Sequence, residues 1–342
     1  MTEERTAIII HDAVPLPKVL ELARRADEKG FWGVFMTEEA GHDTQVALGG
    51  VAGATRQAWI GSGISSVFTR SPAIYAMAAN TINTLSHGRF ILGLGTSPPF
   101  YVKHWHGAAW ERPVGRIKDY VRIVRGILER PGKIHHHGNT INCDDFILAV
   151  ERPSNHIPIW VGALGPQMIE AAGEVGDGAL LSPIITEEYL EFALERVQRG
   201  AQRASRNWRE VEIAAPVVTV VDPDEQQALD QARSMLTYFA VVYYFEPVFA
   251  PSGHRDVWEA LNRTNKEKGY EAARDLVPDE VVRKFTICGT PDQCRSRIAQ
   301  LRQAGLGVPV LNAPGPRRIF GQAMRVPVPT LALNEAIIEY LA

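Results

Sequence analysis

The chain has 342 residues, of which 45% are hydrophobic and 22% charged, and its formal net charge is −3. These values are typical of a globular protein that forms one large α/β barrel or two medium domains, and without excess basic charge we expect neither nucleic acid nor a membrane as a partner. Three cysteines without a CxxC pair indicate no disulfide framework, and the charged start of the chain lacks the apolar core of a signal peptide, so we expect a cytoplasmic protein.

Short apolar runs alternate with amphipathic stretches through the first part of the chain. This alternation implies right-handed parallel crossovers. Residues 132–150 break the rhythm and predict a hairpin that turns at 137–139. The predicted strands here are 7–10, 33–36, 59–65 and 90–94, and the predicted helices are 15–29, 43–54, 72–85 and 115–129.

The same rhythm returns after the hairpin. About ninety residues separate the last two predicted strands, too many for a bare loop, so we expect an insertion there, approximately at 221–290 and including an aromatic helical stretch at 238–249. A barrel with insertions reaches this length, and we predict one TIM (β/α)8-barrel domain over 1–342 with a helical insertion between strands seven and eight. The remaining predicted strands are 158–161, 178–181, 212–220 and 308–311, and the remaining helices are 166–175, 187–204 and 292–304.

The segment from Leu85 to Thr96 indicates where a ligand binds. Gly88 has the position of a helix C-cap, and an apolar strand follows it. That strand ends in small residues, including Gly95 and Thr96. In parallel α/β folds ligands bind at the carboxyl ends of the strands, so these residues are candidate binding residues.

A second segment has the pattern of an anion site. Its residues are Gly162, Ala163, Leu164, Gly165 and Pro166, between a predicted strand and a predicted helix. Free N–H groups at a helix start bind phosphate, and glycine lets the phosphate approach the backbone. A plain strand-to-helix turn also favours glycine and proline, and the pattern alone leaves both interpretations open.

The end of the third predicted strand offers an unusual backbone and a hydroxyl. Gly63 precedes Ile64, and Ser65 follows. An ordinary strand exit with surface polar residues is the alternative.

Paired acids close the second predicted strand. Adjacent carboxylates such as Glu38 and Glu39 can shift each other's pKa and act as acid or base. Glu38 is our catalytic candidate, and His42 and His106 are the second choices. An acidic helix start is the alternative, and it suits Asp43.

The histidines at 104–106 and 135–137 have no further ligands at metal-binding spacing, so we expect no metal site.

Together these segments resemble the bacterial-luciferase-like superfamily of flavin- and coenzyme F420-dependent oxidoreductases. The matching stretches are 84–95, 61–64 with 70–72, and 158–166 with 172–178, and the last is similar to the methylenetetrahydromethanopterin-reductase branch, which uses F420. They occur in order over about the first 205 residues.

The resemblance implies a TIM-barrel variant, usually a dimer, with a non-prolyl cis peptide at Gly63–Ile64 that backs the ring of the cofactor. It also implies that 162–166 bind the cofactor phosphate. F420-dependent sugar-phosphate dehydrogenases carry a glutamate where Pro98 stands and an Asp-His pair near Glu38, so the resemblance does not extend to glucose-6-phosphate oxidation.

Three functions are compatible with this resemblance. The first is an F420-dependent oxidoreductase that transfers a hydride to or from a small organic substrate. The second is an FMN-dependent monooxygenase that receives reduced FMN from a separate reductase. The third is a non-catalytic cofactor-binding barrel. The substrate is not evident from the sequence.

Overall fold

The computed structural model describes residues 4–242, 245–313 and 330–342. The strands of these residues are β1 (Ala7–Ile10), β2 (Gly33–Met36), β3 (Trp59–Ser62), β4 (Ser65–Ser66), β5 (Phe90–Gly95), β6 (Ile134–His137), β7 (Asn142–Phe146), β8 (Ile159–Gly162), β9 (Gly178–Leu180), β10 (Glu212–Ala215), β11 (Thr219–Val221), β12 (Ile287–Gly289) and β13 (Val308–Asn312).

The helices lie between these strands and after the last one. They are α1 (Leu16–Glu28), α2 (Thr44–Ala54), α3 (Pro72–Leu85), α4 (Pro113–Glu129), α5 (Pro166–Val175), α6 (Glu187–Arg203), α7 (Glu225–Val242), α8 (Glu246–Phe249), α9 (Arg255–Lys268), α10 (Tyr270–Arg274), α11 (Asp279–Phe285), α12 (Pro291–Gln303) and α13 (Thr330–Tyr340). A π-helical turn (Tyr101–Trp105) and a 3-10 turn (Trp208–Glu210) complete the set.

The sheet closes into a parallel barrel, which confirms the predicted TIM-barrel fold. Its hydrogen-bonded order is β3, β2, β1, β13, β10, β9, β8 and β5, and pairing of β3 with β5 closes it. The third strand is interrupted after Ser62 and resumes as β4, which pairs with the end of β5. All carboxyl ends therefore meet at one rim of the barrel, where the candidate residues lie.

The barrel strands are buried on both faces, which explains their continuous apolar sequences. In β1, Ile8 and Ile10 pack outward against the helices, whereas Ala7 and Ile9 pack into the barrel interior. This alternation places the next residue, His11, on the interior side.

Aromatic side chains fill the lower part of the barrel. The rings of Phe35 and Trp160 stack at 5.4 Å between centroids, and Trp32 stacks on Trp160 at 6.3 Å. Glycines provide the room, since a methyl group at Gly61 would lie 2.6 Å from the Phe35 ring and one at Gly178 would lie 2.5 Å from Trp160 Cδ1. The interior is therefore closed at the amino ends of the strands, and this leaves the opposite end for a ligand.

The insertion lies between β10 and β13, as predicted, and one strand boundary was wrong. The predicted strand 212–220 stops at Ala215, and β11 pairs instead with β12 outside the barrel. Pro216 follows Ala215 and has no N–H for a sheet hydrogen bond, so it ends the barrel strand. The aromatic helix predicted at 238–249 is divided between α7 and α8, and residues 243–244 lie outside the described residues.

The excursion after α4 is an antiparallel hairpin of β6 and β7, as predicted. His135 and His137 lie on β6 beside the turn, with their side chains exposed.

Among the helices of the described residues, none combines the length and the apolar content needed to cross a membrane.

The close approach of Gly178 to Trp160 generates a stability prediction. We expect Gly178→Ala to lower the free energy of unfolding by about 1–3 kcal/mol, because the added methyl overlaps a ring held in a packed interior. Urea denaturation of Gly178→Ala, Trp160→Leu and the double variant measures this effect. The clash predicts that Gly178→Ala costs much less when Trp160 is already Leu, and strictly additive costs would contradict it.

Candidate functional site

Three sequence segments meet at the side chain of Ile64. A methyl group at Gly95, on β5, would lie 2.6 Å from Ile64 Cδ1, and one at Gly162, on β8, would lie 3.0 Å from Ile64 Cγ2. Both glycines are at the last position of their strands. Residues that are almost a hundred positions apart in the chain therefore form one surface at the carboxyl rim.

The peptide bond between Gly63 and Ile64 is cis, as the resemblance implied. It lies between β3 and β4, and the Ile64 side chain that follows it lies against Gly95 and Gly162. Ser65, the next residue, is buried, and its hydroxyl donates to Glu38 Oε2 at 2.5 Å.

The start of α5 has the features of an anion site. Gly165 is its N-cap residue, Pro166 is at N1, and no side chain of the described residues caps it. The space where a Gly165 side chain would lie is open. Unsatisfied N–H groups and the helix dipole favour a negative group here.

The turn before α5 is anchored to the barrel. The Tyr189 hydroxyl donates to the Leu164 carbonyl at 2.8 Å, and burial raises the pKa of Tyr189, so the phenol keeps its proton. Ala163 N–H donates to the Leu180 carbonyl at 2.9 Å and is occupied within the sheet. Ala163 thus shapes the turn through its backbone rather than offering an N–H to a ligand.

The loop after β5 is fixed by Trp110. Its Nε1–H lies 3.3 Å from the Thr96 carbonyl and 3.1 Å from the Ser97 carbonyl, and its ring stacks on Phe68. Thr96 is therefore held beside Gly95 at the rim.

Glu38 is part of an ion-pair network. Arg70 Nη1 donates to Glu38 Oε1 at 2.8 Å, and Arg70 Nη2 donates to Asp43 Oδ2 at 2.5 Å. Burial alone lowers the pKa of Arg70, but the carboxylates of Glu38 and Asp43 outweigh it and raise that pKa further above its usual range. Both oxygens of Glu38 therefore accept hydrogen bonds, one from Arg70 and one from Ser65.

The other candidates of this region are more peripheral. Asp43 caps α2 by accepting from Val46 N–H at 3.2 Å, which fits the helix-start interpretation of that residue. His42 and His106 are both exposed.

Sequence reasoning missed a buried cluster at the ends of β1 and β2. His11 is 6% exposed and Asp12 1%. The Asp12 carboxylate accepts from Thr37 Oγ1 and from the N–H groups of Glu39 and Gly41. His11 Nε2 lies 3.6 Å from Glu39 Oε2. The available signal was strand alternation, since Ala7, Ile9 and His11 share one face.

The chain belongs to the luciferase-like monooxygenase family, whose pattern matches residues 2–307. The resemblance seen in the sequence is thereby confirmed.

Two individual proteins are similar to this chain over most of its length. A 5,10-methylenetetrahydromethanopterin reductase of Methanolobus tindarius is 30% identical over 312 residues, covering 89% of this chain and 93% of the relative. The coenzyme F420-dependent tetrahydromethanopterin reductase of Methanopyrus kandleri has the same fold, with a TM-score of 0.82, 22% identity and coverage of 99% and 98% of the two chains.

FMN enzymes share the fold as well. The oxygenating constituent of 3,6-diketocamphane monooxygenase from Pseudomonas putida, solved in complex with FMN, has a TM-score of 0.69 and 17% identity, with coverage of 99% and 98%.

The network around Glu38 generates a second prediction. We expect a double-mutant cycle of Glu38→Gln and Arg70→Met to give a coupling free energy on the order of 1 kcal/mol, because the pair is only partly screened by water. Thermal and urea denaturation of the four proteins measure it. A coupling energy of zero would mean that the two side chains are not paired in solution.

Proposed function

We propose that the protein is an F420-dependent oxidoreductase that transfers a hydride between the deazaflavin and a small organic substrate at the carboxyl rim of the barrel. The observation that carries this proposal is the cradle in which Gly95 and Gly162 meet Ile64, next to the uncapped start of α5. Similarity to a methylenetetrahydromethanopterin reductase over 89% of the chain supports it.

The cradle suits a flat ring that carries a phosphate-bearing tail. Gly63, Ile64, Ser65 and Gly95 would hold the ring, with Ile64 behind it, because the absence of a Cβ at Gly95 lets the Ile64 side chain pack against the end of β5. Thr96 would border it, and the turn from Gly162 through Ala163, Leu164 and Gly165 to Pro166 would bind the phosphate. When bound, F420 supplies hydride chemistry, while the protein orients it and manages the accompanying proton.

Glu38 stays our predicted catalytic residue, and its contacts suggest how it acts. Its Oε1 accepts from Arg70 Nη1 and its Oε2 accepts from the Ser65 hydroxyl, so the carboxylate lies beside the proposed ring site, where it would exchange a proton with the substrate.

An FMN-dependent monooxygenase that needs a reductase partner is the second candidate, supported by the fold shared with the diketocamphane enzyme. Fluorescence quenching of the purified protein by F420 and by reduced FMN separates the two. Our proposal expects saturable quenching by F420 and weaker or absent quenching by FMNH₂; the reverse result supports the monooxygenase and overturns our proposal.

A substitution at Gly95 tests whether F420 binds next to Ile64. We expect Gly95→Ala to weaken F420 binding by about tenfold or more, because the methyl pushes Ile64 toward the ring position; tenfold corresponds to about 1.4 kcal/mol. Adding Ile64→Ala should restore affinity in part, because it removes the clash with the new methyl group but also the side chain behind the ring. Gly178→Ala, at the amino end of the barrel, is the control and should leave affinity unchanged. Equal weakening by both glycine variants would contradict the placement.

We also propose a homodimer formed through α2 and α3. Neither helix contains a charged residue, whereas α1 and α6 carry several on their outer faces. Val46, Ile74, Met77 and Leu85 are nevertheless 44–73% exposed. An apolar outer face of this kind is typical of a protein–protein interface.

Ile74→Glu combined with Met77→Glu tests the dimer. A carboxylate on each exposed position opposes burial against a second copy, so we expect the variant to be a monomer by light scattering where the wild type is a dimer. Leu276→Glu, at an apolar residue of similar exposure outside these helices, is the control. A wild-type monomer, or a variant that stays dimeric, would exclude this interface.

A further inference from the structure

We propose that His11, held between Asp12 and Glu39, is the residue that gives a proton to the substrate. This inference rests on the proposed hydride-transfer function and names a proton donor for it at the ends of β1 and β2.

The two ring nitrogens of His11 have different surroundings. Nδ1 accepts the N–H of Ala13 at 3.2 Å and also lies 3.1 Å from Asp12 Oδ1. Nε2 is buried and has no hydrogen-bond partner among the described residues, with Glu39 Oε2 3.6 Å away. A buried polar atom without a partner is uncommon and costs free energy, so it indicates a place where another molecule bonds.

Nδ1 has a partner in either charge state of the ring. A backbone N–H can only donate, so Ala13 pairs with Nδ1 when that atom carries no proton, and the neutral ring then has its proton on Nε2. When Nδ1 is protonated, the Asp12 carboxylate faces it. His11 can therefore gain or lose charge without leaving Nδ1 unpaired, and Nε2 carries a proton in both the imidazolium and this neutral form.

Asp12 is a positioning residue in this arrangement. Its Oδ2 accepts Glu39 N–H at 2.8 Å and Gly41 N–H at 2.7 Å, and its Oδ1 accepts the Thr37 hydroxyl at 3.1 Å. These bonds hold the loop after β2 against the end of β1. They set the spacing between His11 and Glu39 and keep two carboxylates beside the ring.

When the substrate is reduced, it takes up a proton as well as a hydride, and His11 supplies that proton. Reduced F420, held by Gly63, Ile64 and Gly95, would supply the hydride for a substrate carbon that is doubly bonded to oxygen or nitrogen. The Nε2–H bond of the imidazolium breaks as that heteroatom takes the proton, and a neutral imidazole remains with its Nδ1–H toward Asp12. Glu39, which is partly exposed, returns a proton from solvent to Nε2.

Nitrogen NMR of protein labelled with ¹⁵N-histidine tests the assignment without turnover. The His11 signals are identified by their loss in His11→Gln, which retains a side-chain N–H donor but has no nitrogen that can act as an acid or base at neutral pH. We expect Nε2 of His11 to be protonated at neutral pH. An unprotonated Nε2 would overturn the proposal whether or not F420 binds.

Ligand titration gives the second measurement. We expect F420 to shift the His11 signals and to leave the signals of His136 unchanged. His136 is a partly buried histidine of the β6 hairpin, and its Nε2 lies 3.4 Å from Oδ1 of Asp119 in α4. If F420 quenches fluorescence but leaves His11 unchanged, the proposal is wrong. If F420 does not bind at all, the proposed function fails, and the protonation of Nε2 decides the inference separately.

Single-turnover reduction of methylenetetrahydromethanopterin by F420H₂ adds a rate. Loss of a general acid typically costs about 10²-fold or more, so we expect that loss in His11→Gln with F420 affinity within about threefold of wild type. His136→Gln is the matched control and should react like wild type. An unchanged rate in His11→Gln would overturn the proposal. If wild type does not reduce this probe, the spectra alone decide.

Discussion

The architecture of the site depends on one steric fact: Ile64 occupies space that side chains on two neighbouring strands would otherwise take. Gly95 and Gly162 end β5 and β8 without a Cβ, and Ile64 packs over both from the interrupted third strand. These strands are hydrogen-bonded neighbours, so the packing of Ile64 against Gly95 and Gly162 defines the shape of this part of the rim.

The opposite side of the rim is organised by charge and hydrogen bonds. Asp12 joins β1 to the loop after β2 and positions His11 and Glu39, while Glu38 turns outward to Arg70 and Ser65. Two adjacent carboxylates in sequence therefore have different surroundings. Glu38 is in an ion pair with Arg70, and Glu39 is beside the buried imidazole of His11.

How much could be predicted from sequence differs between these two sides. The glycine-rich strand ends were recognisable, because glycine at the carboxyl end of a buried strand has few explanations other than close approach. Glu38 was chosen over Glu39 as the catalytic candidate, but strand alternation only places the two on different sides and does not show which side chains each one contacts. His11 was overlooked for a related reason: its significance depends on Ala13, Asp12 and Glu39 together, and two of these are its own neighbours in the chain. The end of β10 was predicted too far along the chain, because the apolar residues continue past Pro216, which ends the strand.

The sequence by itself determined the order of strands and helices, the parallel barrel and the insertion before β13. These features follow from the apolar periodicity and from the positions of glycine and proline. Both signals act over a few residues and can be recognised within a short stretch of sequence. Only the tertiary structure decided that Ile64 meets Gly95 and Gly162, that Glu38 pairs with Arg70, and that a buried nitrogen of His11 has no hydrogen-bond partner in the part of the chain that the structure describes. Those facts arise when strand ends far apart in the chain are brought to one rim, and contacts of this kind depend on distances and burial that no local pattern encodes.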